Sequence, residues 1–169
     1  KLFKTLLTIL FISLLSSPSW SQTMDDLVRR EGIFYQKFTN IPFTGKVTGK
    51  DQGSFKNGKR EGYWISYHEN GQLWYEGKYK SGKQEGASVG YHDNGQLQYK
   101  GNYRNFGQDG AWVYYWNNGQ LESKGNYKNG KEDGAWVSYN QDGTVNNKRT
   151  GFYPRNGGFI RDDGTSIND

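Results

Sequence analysis

One period organises this chain. Gly62, Gly86, Gly110 and Gly134 are spaced by 24 residues, and so are Tyr67, Tyr91, Tyr115 and Tyr139. Gly71, Gly95, Gly119 and Gly143 take the same step, as do Leu73, Leu97, Leu121 and Val145. Two further columns run through Gly53, Gly77, Gly101 and Gly125, and through Phe55, Tyr79, Tyr103 and Tyr127. Six registers of one period define a repeat protein, whose units bury a face only by stacking on their neighbours. The clearest unit spans 110–133 and reads GAWVYYWNNGQLESKGNYKNGKED.

Each unit holds two short runs separated by turn residues. Within the unit stand Asn70-Gly71, Asn94-Gly95, Asn118-Gly119 and Asp142-Gly143. Between units stand Asn57-Gly58, Ser81-Gly82 and Asn129-Gly130, with the third member displaced to Phe106-Gly107. Asn-Gly and Asp-Gly accept the positive φ that tight hairpins need. Two turns per unit predict an all-β chain: an elongated, twisted, antiparallel meander of 24-residue β-hairpins. Each hairpin advances about 9.6 Å, two strands at about 4.8 Å.

Parity assigns the faces. If Tyr67 pairs with Leu73 across the loop Glu69-Asn70-Gly71, then Ala87, Val89, Tyr91, Leu97, Gly101 and Tyr103 share one side. That side reads as the core. The other side carries Trp64, Trp112 and Trp136 with Ser66, Lys100, Lys124, Asn102, Asn126, Glu76 and Glu122, a polar face with an aromatic stripe. A slip of one residue would exchange the two faces.

The ends differ from the repeats, as caps do. Residues 1–21 have the three-part layout of a secretory signal peptide: Lys1 and Lys4, an apolar run from Thr5 to Leu15, and small Ser19 and Ser21 before Gln22. Residues 22–50 read as an N-terminal cap, with a short helix expected over Thr23 to Gly32. Residues 51–148 hold the repeats and 149–169 a C-terminal cap and tail. In that cap Gly151-Phe152-Tyr153 repeats Gly125-Asn126-Tyr127 with a register slip of two, and Arg161 to Asp169 reads as a frayed end.

Composition closes off several kinds of chemistry. The chain has no Cys, so disulfides and thiolate metal sites are excluded. It has 24 Gly among 169 residues, and aromatic residues at 17% make up half of the 33% that is hydrophobic. The core must therefore be built from rings. Loss of Lys1 and Lys4 with the leader lowers the formal charge from +5 to +3. That small balance, with export, argues against a nucleic-acid partner. No phosphate loop, zinc-protease or nucleophile-elbow motif occurs. His68 and His92 fall one repeat apart, too far for a shared metal, and read as turn residues. No cofactor, metal or catalytic set is expected.

Two surfaces are the candidate sites. One is the aromatic face of Trp64, Trp74, Trp112, Trp116 and Trp136, since Trp dominates interface hot spots and stacks on organic cations. The other is a charged edge, with Lys56, Lys80, Arg104 and Lys128 beside Glu61, Glu85, Asp109 and Asp133. It reads either as a solvated rim or as an electrostatic docking edge.

The units resemble the bacterial variant of MORN repeats. Gly110, Trp112, Tyr115, Asn118, Gly119, Leu121, Gly125 and Tyr127 match that pattern, and Gly134, Trp136 and Tyr139 match it again. The lead-in Pro42-Phe43-Thr44-Gly45-Lys46-Val47 is similar to that of YwqK-type antitoxin proteins. The resemblance implies an open sheet of hairpins and a non-catalytic binding role. A protein partner, a toxin among the classes implied, is the first expectation, met in the periplasm or outside the cell. The alternative is an envelope glycan, a cell-wall surface or a lipid headgroup held by the Trp and Tyr stripe.

Overall fold

The structure is a computed structural model that describes residues 21–154, 158–162 and 164–167. Apart from Ser21, the leader expected over 1–21 lies outside the described residues. The strands are β1 Leu27–Arg30, β2 Ile33–Gln36, β3 Gly45–Val47, β4 Asp51–Lys56, β5 Lys59–Tyr67, β6 Leu73–Lys80, β7 Lys83–Tyr91 and β8 Leu97–Arg104. They continue as β9 Gly107–Gln108, β10 Gly110–Tyr115, β11 Leu121–Lys128, β12 Lys131–Ser138, β13 Gly151–Tyr153, β14 Phe159–Arg161 and β15 Ser166–Ile167. From β3 to β15 they form one open 13-stranded antiparallel meander, with the two-residue β9 attached to β8. The expected all-β ribbon of hairpins is what the chain forms.

The short N-terminal helix is not. Among the described residues the one helical turn is a 3-10 turn at Met24–Asp26, closed by Thr23 and Asp26. The next residues make the β1–β2 hairpin, with Glu31 (φ 49) and Gly32 (φ 80) at its tip. A ten-residue helix is marginal by itself. The hairpin places Leu27 and Phe34 on one face, against the first repeat, and Phe34 lies 4.9 Å from Phe55.

The main correction concerns which face is inside. Tyr67 pairs with Leu73 as expected, and the Glu69-Asn70-Gly71 loop is closed by the His68 N–H bonded to the Gln72 carbonyl at 2.8 Å. One step further back, Ser66 pairs with Tyr75. Trp74 is therefore an extra residue, a β-bulge, and the bulge recurs at Gly90/Tyr91 and Tyr114/Tyr115. One extra residue reverses the parity of everything beyond it. Trp64 consequently faces Gly77, and the buried side carries Trp64, Ser66, Tyr75, Trp112 and Trp136. Ala87 and Ala111 are exposed and Val89, Tyr91, Val113 and Tyr115 only half-buried, on the outer side with Lys100 and Asn102. Gly101 and Tyr103 move to the inside with the Trp column.

The glycine column makes that face possible. Gly53, Gly101 and Gly125 lie beneath Trp64, Trp112 and Trp136, where an added Cβ would stand 2.4, 2.1 and 2.2 Å from ring carbons. Each indole buries about 150–250 Å², worth about 4–6 kcal/mol of transfer free energy. The second repeat has Ser88 in the Trp slot. There Tyr75 and Tyr99 fold into the space over Gly77 and Gly90 instead.

The rings form a nearly continuous inner ladder. Phe55 meets Trp64 edge-on at 4.9 Å, Tyr103 meets Trp112 at 5.2 Å and Tyr127 meets Trp136 at 5.1 Å. The C-terminal register slip holds, since Trp136 pairs with Gly151 and Gly134 with Tyr153. The frayed end is corrected. β14 and β15 form another hairpin, closed by the Arg161 N–H on the Thr165 carbonyl at 2.9 Å. It reuses the hydrogen-bond pattern of the turns within the repeats.

The turns between units also keep register. Asn57-Gly58, Ser81-Gly82 and Asn129-Gly130 all have positive φ, and the third turn is Asn105-Phe106 rather than Phe106-Gly107. Phe106, at φ 69, holds the place that Gly takes in the other three.

Candidate functional site: a groove on the inner face

A polar slot stands four residues before each Trp position and faces the ring ladder. It holds Arg60, Gln84, Gln108 and Glu132, spaced by 24. The Arg60 guanidinium lies over the Trp64 ring at 4.3 Å and 5.4 Å from the Tyr79 ring. Gln84 and Gln108 donate from Nε2 to the hydroxyls of Tyr75 and Tyr114, at 2.9 and 3.0 Å. Glu132 has no hydrogen bond or ion pair among the described residues. This slot escaped the sequence reading because its members share no residue type; its 24-residue spacing was the available signal.

Around Glu132 the inner face opens into a groove of about 520 Å³ lined by Tyr114, Tyr127, Trp136, Tyr153, Lys148 and Arg149, among others. Two serines make the room. Ser123 stands where the earlier repeats have Tyr75 and Tyr99, and Ser138 stands one repeat beyond Tyr114. The far wall is the 146–150 segment. It is tied down by the Ser138 N–H on Thr150 Oγ1 at 2.9 Å, by Ser138 Oγ on the Arg149 carbonyl at 3.1 Å, and by an Arg149–Glu122 ion pair at 3.8 Å. Burial pushes the Tyr103 phenol up to about 12, and raises those of Tyr75 and Tyr114 as well. These rings are neutral hydrogen-bonding groups at ordinary pH.

The expected aromatic face divides. Trp64, Trp112 and Trp136 are 0, 2 and 4% exposed, so they are core, and Trp136 borders the groove. The reading of a Trp stripe open to glycans or headgroups fails at these three positions, because the bulge turns them inward. Trp74, the bulged residue, is 49% exposed on the other side. Trp116 donates its indole N–H to the Tyr139 carbonyl at 3.2 Å. His68 and His92 occupy the same slot and bond the Tyr91 and Tyr115 carbonyls at 2.9 and 2.8 Å. A carbonyl only accepts, so Nε2 carries the proton in both. This column ties successive hairpins together, and Asn70, Asn94 and Asn118 repeat the clasp one turn further out.

The charged edge is partly self-paired. Asp109 lies between Arg104 at 4.0 Å and Lys128 at 3.8 Å, and Glu61 accepts the Ser81 backbone N–H at 2.8 Å. Lys56, Lys80, Glu85 and Asp133 complete the edge at neighbouring turns. The outer face carries a row in which aliphatic and charged residues alternate across the strands: Ile65, Glu76, Val89, Lys100, Val113, Lys124 and Val137.

No curated protein matches this chain. Three consecutive segments, 60–81, 84–105 and 108–129, match the family model described as MORN repeat variant. Each match coincides with one hairpin, β5–β6, β7–β8 and β9 to β11. Repeats of this kind are generally linked to protein or membrane binding. The β12–β13 pair lies beyond the matched segments yet keeps the register in which a Trp stands opposite a Gly, Trp136 with Gly151. The chain thus carries three MORN repeat variants within a longer meander built on the same rule.

Proposed function

We propose that this chain is a non-catalytic protein-binding module, antitoxin- or immunity-like, that acts after export from the cytoplasm. The observation that carries this reading is the unequal finish of the inner face. At the N-terminal end the chain's own β1–β2 hairpin covers the rings. At the C-terminal end an aromatic groove is left for another molecule. Of the polar groups an enzyme would use, His68 and His92 clasp backbone carbonyls and Asp109 is held between two cations. The layout of residues 1–21 supports export.

The test uses the full chain with a photo-crosslinking residue in place of Tyr153 at the groove, and in place of Asn94 at a remote turn. A discrete adduct with one protein, formed from 153 and not from 94, is expected in the envelope fraction. The antitoxin reading adds that co-expression relieves growth inhibition by that partner. Adducts from neither site overturn the binding role, and recovery of the chain solely from the cytoplasm overturns export.

A further inference from the structure

The polar slot and the residue before it change charge along the ribbon. The first repeat has Lys59 and Arg60 there, the second Lys83 and Gln84, the third Gly107 and Gln108, and the fourth Lys131 and Glu132. The first repeat alone places two cations side by side, and the cap hairpin adds another. Arg29 of β1 joins Lys59 and Arg60 in lining a recess of about 220 Å³ where the cap meets the first turns between units. Gly58, Gly82 and Tyr79 also border it, and no carboxylate lines it among the described residues. Backbone hydrogen bonds fix the walls. The Phe34 N–H donates to the Gly58 carbonyl at 2.9 Å, the Gly58 N–H to the Phe43 carbonyl at 2.7 Å, and the Gly82 N–H to the Arg60 carbonyl at 2.9 Å. Ring contacts fix the guanidiniums, Arg29 at 5.7 Å from the Phe34 ring and Arg60 at 4.3 Å from Trp64 and 5.4 Å from Tyr79. Among the described residues Arg29 and Lys59 make no side-chain hydrogen bond or ion pair. Arg60 makes one hydrogen bond, from Nη1 to the Tyr79 hydroxyl at 3.5 Å.

We propose that this recess binds a phosphate group, with Arg29, Lys59 and Arg60 supplying the positive charge. The site goes beyond the groove reading, since it lies at the other end of the ribbon and takes a different ligand. Like charges gathered without a counter-ion raise the energy of the folded chain, and a bound anion removes that cost. An arginine offers paired N–H donors to phosphate oxygens, and a lysine adds a point charge. A ring contact uses the face of a guanidinium and leaves its N–H edge for a ligand. Because the planes are already held, less side-chain entropy is lost on binding. A phosphate monoester carries about −1.5 to −2 charge at pH 7, which answers this cluster of cations better than a single carboxylate does. The neighbouring carboxylates stand apart. Glu31, at the hairpin tip, and Glu61, next along β5, are outside the lining, and Glu61 accepts the Ser81 N–H at 2.8 Å.

The experiment titrates the full chain with inorganic phosphate at constant ionic strength, with chloride as the control, by calorimetry and NMR. The backbone N–H resonances of Gly58 and Gly82 should shift to saturation, and that of Gly119, at a remote turn, should stay. The melting temperature should rise with phosphate and not with chloride. Arg60→Gln installs the residue that the second and third repeats carry in this slot, and should weaken binding at least tenfold. Arg29→Gln, on the exposed cap, should weaken it at least fivefold, and Lys124→Gln, on the outer face, should leave it unchanged. Two further arms separate the sources of the group. Binding of glycerol phosphate with no attachment to phosphatidate vesicles assigns it to a soluble ligand. Cosedimentation with phosphatidate and not with phosphatidylcholine vesicles, lost in Arg29→Gln, assigns it to a lipid headgroup. No saturable response to inorganic phosphate, glycerol phosphate or phosphatidate overturns the proposal, as does a loss from Lys124→Gln equal to that from Arg60→Gln.

Discussion

At the first repeat, Trp64 lies beneath Phe55, Tyr79 and Arg60, and Leu27, Phe34, Phe43 and Val47 close over that cluster. At the last, Trp136 has its ring neighbours but is bordered by Ser123, Ser138 and Glu132, with polar clasps in place of an apolar lid. The same sheet is sealed by hydrophobic burial at one end and by hydrogen bonds around a groove at the other. Apolar burial commits a surface to the fold. A hydrogen-bonded rim contributes about 1 kcal/mol per bond and leaves a groove beside the rings.

Alkaline titration should have the largest effect and should reach both ends, because Tyr75 belongs to the cluster that seals the first repeat. Buried Tyr75 and half-buried Tyr103 and Tyr114 hold their protons above the usual phenol range near 10, and Tyr103 does so up to about 12. A raised folded-state value means that stability is intact below pH 10 and falls as pH climbs from 10 towards 12 and beyond, because the unfolded chain ionises first. Circular dichroism and phenolate absorbance should therefore change together in that window. Methyl resonances of Leu27 and Val47 should change in the same window, since Tyr75 is packed within their cluster. Ionisation of all tyrosines near pH 10 with no structural loss would contradict the burial.

Trp64→Ala should cost about 3–5 kcal/mol in urea unfolding. Trp136→Ala should cost about half as much, because the neighbours can relax into the groove and the cost depends on how well the site collapses. Equal losses would erase the distinction between a sealed and an open end.

Two glycines in the middle of the sheet sharpen the physical reason for each column. Gly101→Ala drives a methyl to 2.1 Å from Trp112 and should cost about 1–3 kcal/mol. Gly110→Ala meets nothing within 4 Å but sits at φ +76, and should cost about 1–2 kcal/mol. Removing the indole with Trp112→Ala should suppress the first penalty and leave the second unchanged, which a double-mutant cycle measures.

The smallest effect is at the turn edge. Phe106 holds a left-handed conformation at φ 69 where its counterparts are glycine, and is 48% exposed with Lys83 over its ring at 4.6 Å. Phe106→Gly should stabilise the fold by about 1 kcal/mol, and Gly130→Phe should destabilise it by a similar amount. A loss from Phe106→Gly in thermal unfolding would mean that the lysine contact outweighs the backbone strain.

The repeat, the hairpins, the three-residue loops and the C-terminal slip were all legible in the sequence. Each is a local consequence of residues that accept positive φ at fixed intervals. The inner face was not. Its parity depends on a bulge at Trp74, and a bulge is a feature of strand pairing that leaves no residue type as its mark. The hydrophobic payload offered a hint, since an indole buries far more apolar area than the Ala and Val assigned to the core. The groove was hidden for a related reason. Ser123, Ser138 and Glu132 are ordinary polar residues in sequence, and become a site because the sheet brings them beside Tyr127, Trp136 and Tyr153.

The sequence by itself determined the period, the placement of the turns and the positions that must be glycine, because backbone conformation and turn chemistry act over a few residues. The tertiary structure alone decided which side of the ribbon is buried, which end is sealed by β1 and β2, and where a groove lies beside a carboxylate. Those outcomes depend on pairing and packing between different strands and repeats, and one inserted residue per hairpin is enough to exchange the inside with the outside.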